Sequence, residues 1–387
     1  MLKATDRPPR WPWWRRNRRR VRRGIALVVL LAVAMIAWSL GSALLRPGTD
    51  SIPARAAEWA RDHGMGRLIT WAENQQYQRN QPKVGGGLTG DQRAALRAGT
   101  PIPPGRGLPP AIGPIANPAL PGEGQWKVLA MSATGQPAVL KAMLRPDATH
   151  TSYLADVAWI NAREVRFVLH PGSQEPGHGP WSVPDTIPAA QRRGLVATFN
   201  GGFRLKDALA GPIGGYYADG RAVGQLANGA AAEVFRSDGS MTVGLWGRDA
   251  TLADPTVVAV RENLHLLVDN GQIAASTADG SSRTWGYTIR NAYYVWRSGV
   301  GVTATGDIVF AMGSALSVQT LADVLRRAGA VRAMELDINP SWTSFMSYTV
   351  GPDPANPAPI KLDAFSRPAD RYYQPSSRDF VAAYLRD

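Results

Sequence analysis

The chain has 387 residues, no cysteine, 44% hydrophobic residues and a formal net charge of +13. It is longer than one ordinary domain needs and apolar enough for a real core, and without cysteine it holds neither disulfides nor thiol chemistry. The charge is concentrated at one end: residues 1–23 carry nine arginines and Lys3 against Asp6, a surplus of nine that leaves +4 for the rest. A body so nearly balanced excludes nucleic-acid binding as its main task.

Residues 1–23 read as a basic cytoplasmic tail, with Trp11, Trp13 and Trp14 suited to a membrane interface. Residues 24–45, "GIALVVLLAVAMIAWSLGSALL", contain no charge and match the ~20 residues that span a bilayer as a helix. Small residues at Gly41-Ser42-Ala43 leave a cleaved signal peptide as the alternative, but its apolar core would normally run only ~7–15 residues. The arginine cluster predicts a single-pass protein of the cell membrane, with its N-terminus in the cytoplasm and its C-terminal domain extracellular.

Residues 46–100 form a membrane-proximal segment, in which 52–79 predict one or two amphipathic helices interrupted at Gly64 and Gly66. Ala57, Trp59, Ala60, Leu68, Ile69 and Trp71 supply the apolar face. Residues 101–122 hold eight prolines, which exclude helix and sheet and predict an extended spacer. From 123 to 387 short apolar runs alternate with turn signals, giving an α+β domain: a strand-rich mixed sheet with packed helices. Asp219-Gly220, Asp238-Gly239, Asn270-Gly271 and Gly306-Asp307 mark hairpins. "SVQTLADVLRRAGA" is a helix capped by Ser317 and ended by Gly329, and "SSRDFVAAYLRD" predicts a terminal helix.

Three stretches deliver polar groups at the ends of apolar runs. In "LVATFNGGFR", Asn200 either presents its amide to a ligand, beside the Gly201 and Gly202 N–H groups, or caps its own turn. In "YYVWRSGVGVTATGDIVFAMG", Arg297 needs a carboxylate or phosphate partner, and a structural pair with Glu335 or Asp337 would satisfy it. In "AMELDINPSWTSF", Glu335 and Asp337 fall on one face of a strand, where two carboxylates are expensive to bury unpartnered. They face a pocket or sit in a network with Arg297, Arg332 or Arg290. The five histidines fit no zinc spacing; His170 and His178 flank a loop and read as surface residues. No Gly-x-Ser-x-Gly elbow or P-loop occurs.

Taken in order, "TFNGGF", "VDNGQIAAS", "RSGVGVTATGDIVFAM" and "LADVLRRAGAVRAMELD" resemble the phosphodiester glycosidase family over about Trp126 to Tyr348. The resemblance aligns Asn200 to Phe203 with an Asn-Gly-x-Phe turn, Asp269-Asn270-Gly271 with a second hairpin, and Arg297 and Gly301 with an R-x-x-x-G motif. Its terminal Leu-Asp-Gly-Gly-Gly-Ser keeps Leu336, Asp337 and Ser341 here, while Ile338, Asn339 and Pro340 replace the glycines.

The implied function is hydrolysis of a sugar-1-phosphodiester in cell-envelope polysaccharide. Asp337 would act on sugar or water with Glu335 as partner, Arg297 would hold phosphate, and Asn200 would lie opposite. Gly201, Gly202, Asp269, Asn270, Asn339, Ser341 and Trp342 would bind the saccharide or phosphodiester-linked glycan. The lost glycines keep two alternatives open: a non-catalytic carbohydrate-binding protein, with Trp342 and Phe345 as an aromatic platform, and an exopolysaccharide biosynthesis or modification factor. No cofactor is required; the carboxylates and Asn carbonyls form a hard-oxygen set suited to calcium or magnesium, though no spacing demands one. The sequence leaves the oligomeric state open.

Overall fold

The computed structural model describes residues 18–103, 105, 107–177, 179–205, 214–278, 280, 282–285, 294–349 and 353–386. Trp11, Trp13, Trp14, His178, Arg290 and most of the basic tail lie outside the described residues. Two compact units divide the chain: Met1–Arg46 with Ser51–Gly66, and Pro47–Asp50 with Arg67–Asp387.

In the first unit, α1 (Arg18–Leu44) includes a 25-residue stretch, Arg20–Leu44, long and apolar enough to cross a membrane. Helix α2 (Ile52–Ala60) starts at Ser51, whose hydroxyl accepts from the Ala54 N–H at 3.3 Å. It folds back along the end of α1: Trp59 Nε1 donates to Ser39 Oγ at 2.9 Å, and Arg55 Nη1 donates to the Leu44 carbonyl at 2.7 Å. The helical run breaks at Gly64, with φ 81°, but not at Gly66, which is helical and opens α3 (Gly66–Arg79).

The second unit opens with α3 and with α4 (Gly90–Arg97), which Thr89 and Gln92 close in a capping box. Among its described residues the proline-rich segment has no helix or named strand, but it is not a spacer. Ile112 and Ala116 are buried, the Ile112 N–H donates to Gly124, and Arg145 Nη2 donates to the Ala116 carbonyl at 2.9 Å. Prolines fix φ and remove donors, yet leave carbonyls and apolar side chains free to pack on a neighbouring core. The compact unit therefore begins well before residue 123.

Among the described residues three sheets follow, and every ladder between their strands is antiparallel. The largest orders eight strands as β1 (Lys127–Met131), β2 (Pro137–Leu144), β3 (Ala155–Ile160), β14 (Ile308–Leu316), β13 (Val295–Thr303), β15 (Ala330–Glu335), β11 (Leu266–Asp269) and β12 (Gln272–Ile273). The second orders β17 (Ala358–Lys361), β16 (Phe345–Thr349), β5 (Leu195–Asn200), β18 (Phe380–Leu385) and β4 (Val165–His170). The third orders β7 (Arg221–Val223), β6 (Tyr216–Ala218), β10 (Val257–Glu262), β8 (Ala231–Arg236) and β9 (Met241–Leu245).

One face of the eight-stranded sheet packs on the second sheet through Phe310, Met312, Phe199, Phe345 and Val381. The other packs on α5 (Val318–Arg327) through Val309, Ala311, Leu321 and Leu325. Ser317 caps α5 as read from sequence, accepting from the Thr320 N–H at 3.0 Å. Replacing it in Ser317→Ala should lower unfolding free energy by about 1 kcal/mol in a denaturant titration.

The terminal segment is corrected: residues 380–385 are strand β18, not helix. Phe, Val and Tyr favour strands, and five of the six residues are buried, as a strand between β5 and β4 requires. The short apolar run carried no periodicity able to separate strand from helix.

Candidate active site

Two strand ends meet within the second unit. β5 delivers Asn200, and β15 runs on past its last residue, because Leu336 N–H donates to Ser298 O and Ser298 N–H donates to Asp337 O. Ser298, on β13, also accepts from the Asp337 N–H at 3.2 Å and from Asn200 Nδ2 at 3.0 Å. Asn200 Oδ1 accepts from the Ser344 N–H at 2.9 Å. Both ends of the Asn200 amide are therefore engaged within the protein, which favours the structural reading of this residue over direct ligand contact.

Asp337 lies at the start of a loop shaped by its own side chains. Asp337 Oδ1 accepts from the Asn339 N–H at 2.9 Å, and Asn339 Oδ1 accepts from the Ser341 N–H at 2.8 Å. Two successive side-chain turns shape the loop at the positions where the family motif has glycines. None of Asp337 to Ser341 has a positive φ, so Ile338, Asn339 and Pro340 fit without backbone strain. Asn339 Nδ2 also donates to Glu73 Oε1 on α3 at 3.3 Å.

Arg297 and Glu335 form an ion pair, Nη1 to Oε1, with both side chains fully buried, and Arg297 Nε donates to Leu316 O at 3.0 Å. Burial pushes the Glu335 carboxyl up and the guanidinium draws it down; the net shift is upward. The pairing corrects the roles drawn from sequence: Arg297 is committed to Glu335 and is not open to a phosphate, and Glu335 partners Arg297 instead of Asp337. Gly301, on the same strand, keeps its place for packing, since a Cβ there would lie 2.8 Å from Ala330 Cβ.

Other expectations are also corrected. Arg332 donates to Val243 O, away from this cluster. Asp269 pairs with the exposed Arg248 at 2.7 Å, and Gly271 N–H donates to Val331 O. Asp269 and Asn270 thus sit beside the start of β15, four residues or about 13 Å from Glu335. Trp342 is no open platform: it is 5% exposed, between Arg367 and Arg378, whose guanidinium carbons lie 4.7 and 4.5 Å from its ring centroid. Phe345 is core. His170 is likewise buried, stacked on Phe380, and burial lowers its imidazole pKa to about 4. Among the described residues, no three His, Cys, Asp or Glu side chains gather as a metal site.

Residues the sequence did not single out brace the glycine turn. Asn263 Nδ2 donates to Glu335 O and Leu336 O at 2.7 and 2.9 Å, while its Oδ1 accepts from the Phe203 N–H at 3.1 Å. The next residue, Leu264, has φ 55°, a strained conformation for a bulky side chain. Arg261 pairs with Asp379 at 2.8 Å and also donates to Phe203 O. Gly201 N–H donates to Asp379 O, so it is committed, whereas the buried Gly202 N–H has no acceptor among the described residues. A Cβ on Gly201 would lie 2.0 Å from Asp379 Oδ2. Gly201→Ala should cost about 1–3 kcal/mol in a denaturant titration. Only local charge and packing, invisible without the fold, could have found Asn263, Arg261 and Asp379.

Beside that pair, Glu233 is fully buried with neither carboxylate oxygen hydrogen-bonded among the described residues, and burial, then Asp379, raises its pKa to about 8. A carboxyl whose folded pKa is raised binds more protons folded than unfolded. Stability should fall as pH rises from about 4.5 to about 8. Glu233→Gln should flatten that part of a stability–pH curve.

Residues 193–356 match the family model for phosphodiester glycosidase, a hydrolase family, so the resemblance read from the sequence stands across the site. No curated protein matches the sequence. Among solved structures, the zebrafish N-acetylglucosamine-1-phosphodiester alpha-N-acetylglucosaminidase catalytic domain, auto-inhibited by its pro-peptide, aligns at TM-score 0.43 and 16% identity over 67% of this chain and 87% of its own. A hypothetical protein from Synechocystis aligns at 0.36 and 12%, over 65% and 63%, and a Burkholderia pseudomallei K96243 protein described as exported at 0.32 and 13%, over 62% and 75%. Likeness at these scores bears on neither activity nor substrate.

Proposed function

We propose that this phosphodiester glycosidase-like domain hydrolyses a sugar-1-phosphodiester of the cell envelope, held at the membrane by residues 24–45 with the domain outside. The observation that carries the reading is the position of Asp337. It is a carboxylate brought by β15 to the glycine turn of β5, within the span that matches the family model.

In the proposed reaction, water oxygen bonds to C1 of the sugar and the bond from C1 to the phosphate oxygen breaks. The leaving phosphate carries off its remaining ester group and takes up the water proton. The transition state is oxocarbenium-like, and an anionic Asp337 stabilises it. Phosphate is a tolerable leaving group, so little general-acid assistance is needed. The Gly202 N–H, without an acceptor among the described residues, would donate to a phosphate oxygen, and the Arg297–Glu335 pair fixes the strand from which Asp337 projects. Asn339 and Ser341, half-buried on the loop, would contact the sugar.

Burial of Trp342 and Phe345 removes the aromatic platform that a binding module would present, which favours the enzyme reading. The test is release of free sugar from α-linked sugar-1-phosphodiesters by the full chain in detergent. Turnover supports the proposal. Saccharide binding without turnover on any donor contradicts it.

A further inference from the structure

The chain enters the domain directly after its apolar segment. Pro47–Asp50 belong to the same compact unit as the site. Thr49 O accepts from Arg367 Nη1 at 2.8 Å, Asp50 pairs with Arg367 Nη2 at 2.9 Å, and Ser377 Oγ donates to Asp50. Gly48 closes the turn at φ 108°, where a Cβ would meet Pro375 O at 2.4 Å. The same Arg367 donates through Nε to Ser341 O at 2.7 Å and lies over Trp342. One arginine therefore fastens both the strap after the apolar segment and the loop that begins at Asp337.

Chain length alone bounds the consequence. Thr49 is four residue steps beyond Leu45, and four steps fully extended span at most about 14 Å. Wherever residues 24–45 lie in a bilayer, the strap's attachment point is within that distance of their end. A second observation points the same way. On α3, Glu73 holds Asn339 of the site loop, and Leu68 and Trp71, three apart on the same helix, are 58% and 59% exposed. An exposed aliphatic–tryptophan pair is the side-chain chemistry that settles at a lipid headgroup boundary.

We propose that the substrate is borne by the membrane: a saccharide joined through a phosphodiester to a lipid of the bilayer that holds residues 24–45, with Leu68 and Trp71 seated in that bilayer. The inference rests on the glycosidase reading above. Hydrolysis at C1 would free the sugar to water and leave the lipid phosphate in the membrane. Sharing one surface confines enzyme and donor, and confinement raises effective concentration by roughly 10²-fold or more.

The test uses the full chain in phosphatidylglycerol–phosphatidylethanolamine vesicles. One donor is N-acetylglucosamine α-1-phosphate esterified to a long-chain polyisoprenol, and the other is its soluble methyl ester. The expected result is at least about tenfold faster release from the lipid donor. Leu68→Ser with Trp71→Ser should remove that preference and leave the soluble rate unchanged. Equal rates on both donors overturn the inference while the glycosidase reading survives. Because the chain has no cysteine, Leu68→Cys and Trp71→Cys each accept a single nitroxide label, with Leu252→Cys as a solvent-exposed control. Label relaxation by dissolved oxygen at 68 and 71, and by an aqueous nickel chelate at 252, supports the seating even if neither donor turns over. That last case removes the glycosidase reading and the lipid-substrate inference with it. Aqueous relaxation at 68 and 71 overturns the inference whatever the rates.

Discussion

Asp337→Asn should lower kcat for sugar release by roughly 10²–10⁴-fold and leave the fold intact. The substitution keeps the shape and the acceptor that the Asn339 N–H needs, since an amide oxygen can replace Oδ1. What it removes is the negative charge that the oxocarbenium-like state requires. KM should change little, because the lost interaction belongs to the transition state. A stopped assay across donor concentration, with a melting curve for each protein, separates that outcome from misfolding. If Asp337→Asn kept more than half of the wild-type kcat, the catalytic role would have to lie elsewhere.

Arg297→Met should be the most damaging single change to stability, by about 3–5 kcal/mol, because it strands the buried Glu335 carboxylate. Adding Glu335→Gln should restore much of that loss, since the charge left without a partner disappears. The double-mutant cycle in a denaturant titration reads the coupling directly. A fully folded Arg297→Met with unchanged stability would return Arg297 to the role of an available phosphate ligand.

The strand runs were legible because alternation and Gly-bearing turns are local signals. Asp219-Gly220 and Asn270-Gly271 join short hairpins as expected, and the asparagine and aspartate there adopt positive φ. Residues 380–385 were not legible: a strand buried on both faces shows continuous apolar texture, which fits a helix equally well. The proline-rich stretch misled differently. Proline density excludes regular structure but says nothing about packing, and Arg145 finds its carbonyl acceptors there.

For the site, the sequence pointed to Asn200, Arg297, Glu335 and Asp337, and all four gather around β13 and β15. It could not say who pairs with whom, because Glu335 and Arg297 meet only through the register that sets Glu335 beside Gly299. Asp269 and Asn270 were drawn in by a motif whose hairpin folds at the far end of β15. Asn263 and Arg261 carry no motif at all; they matter because strand β10 ends beneath the glycine turn.

The most direct measurement is hydrolysis of an α-linked sugar-1-phosphodiester in ¹⁸O-labelled water, with mass analysis of both products. The label should enter the anomeric hydroxyl of the released sugar, because water bonds to C1 and the C1–O bond breaks. Label in the phosphate instead would mean attack at phosphorus and cleavage of a P–O bond, and would contradict a glycosidase centred on Asp337.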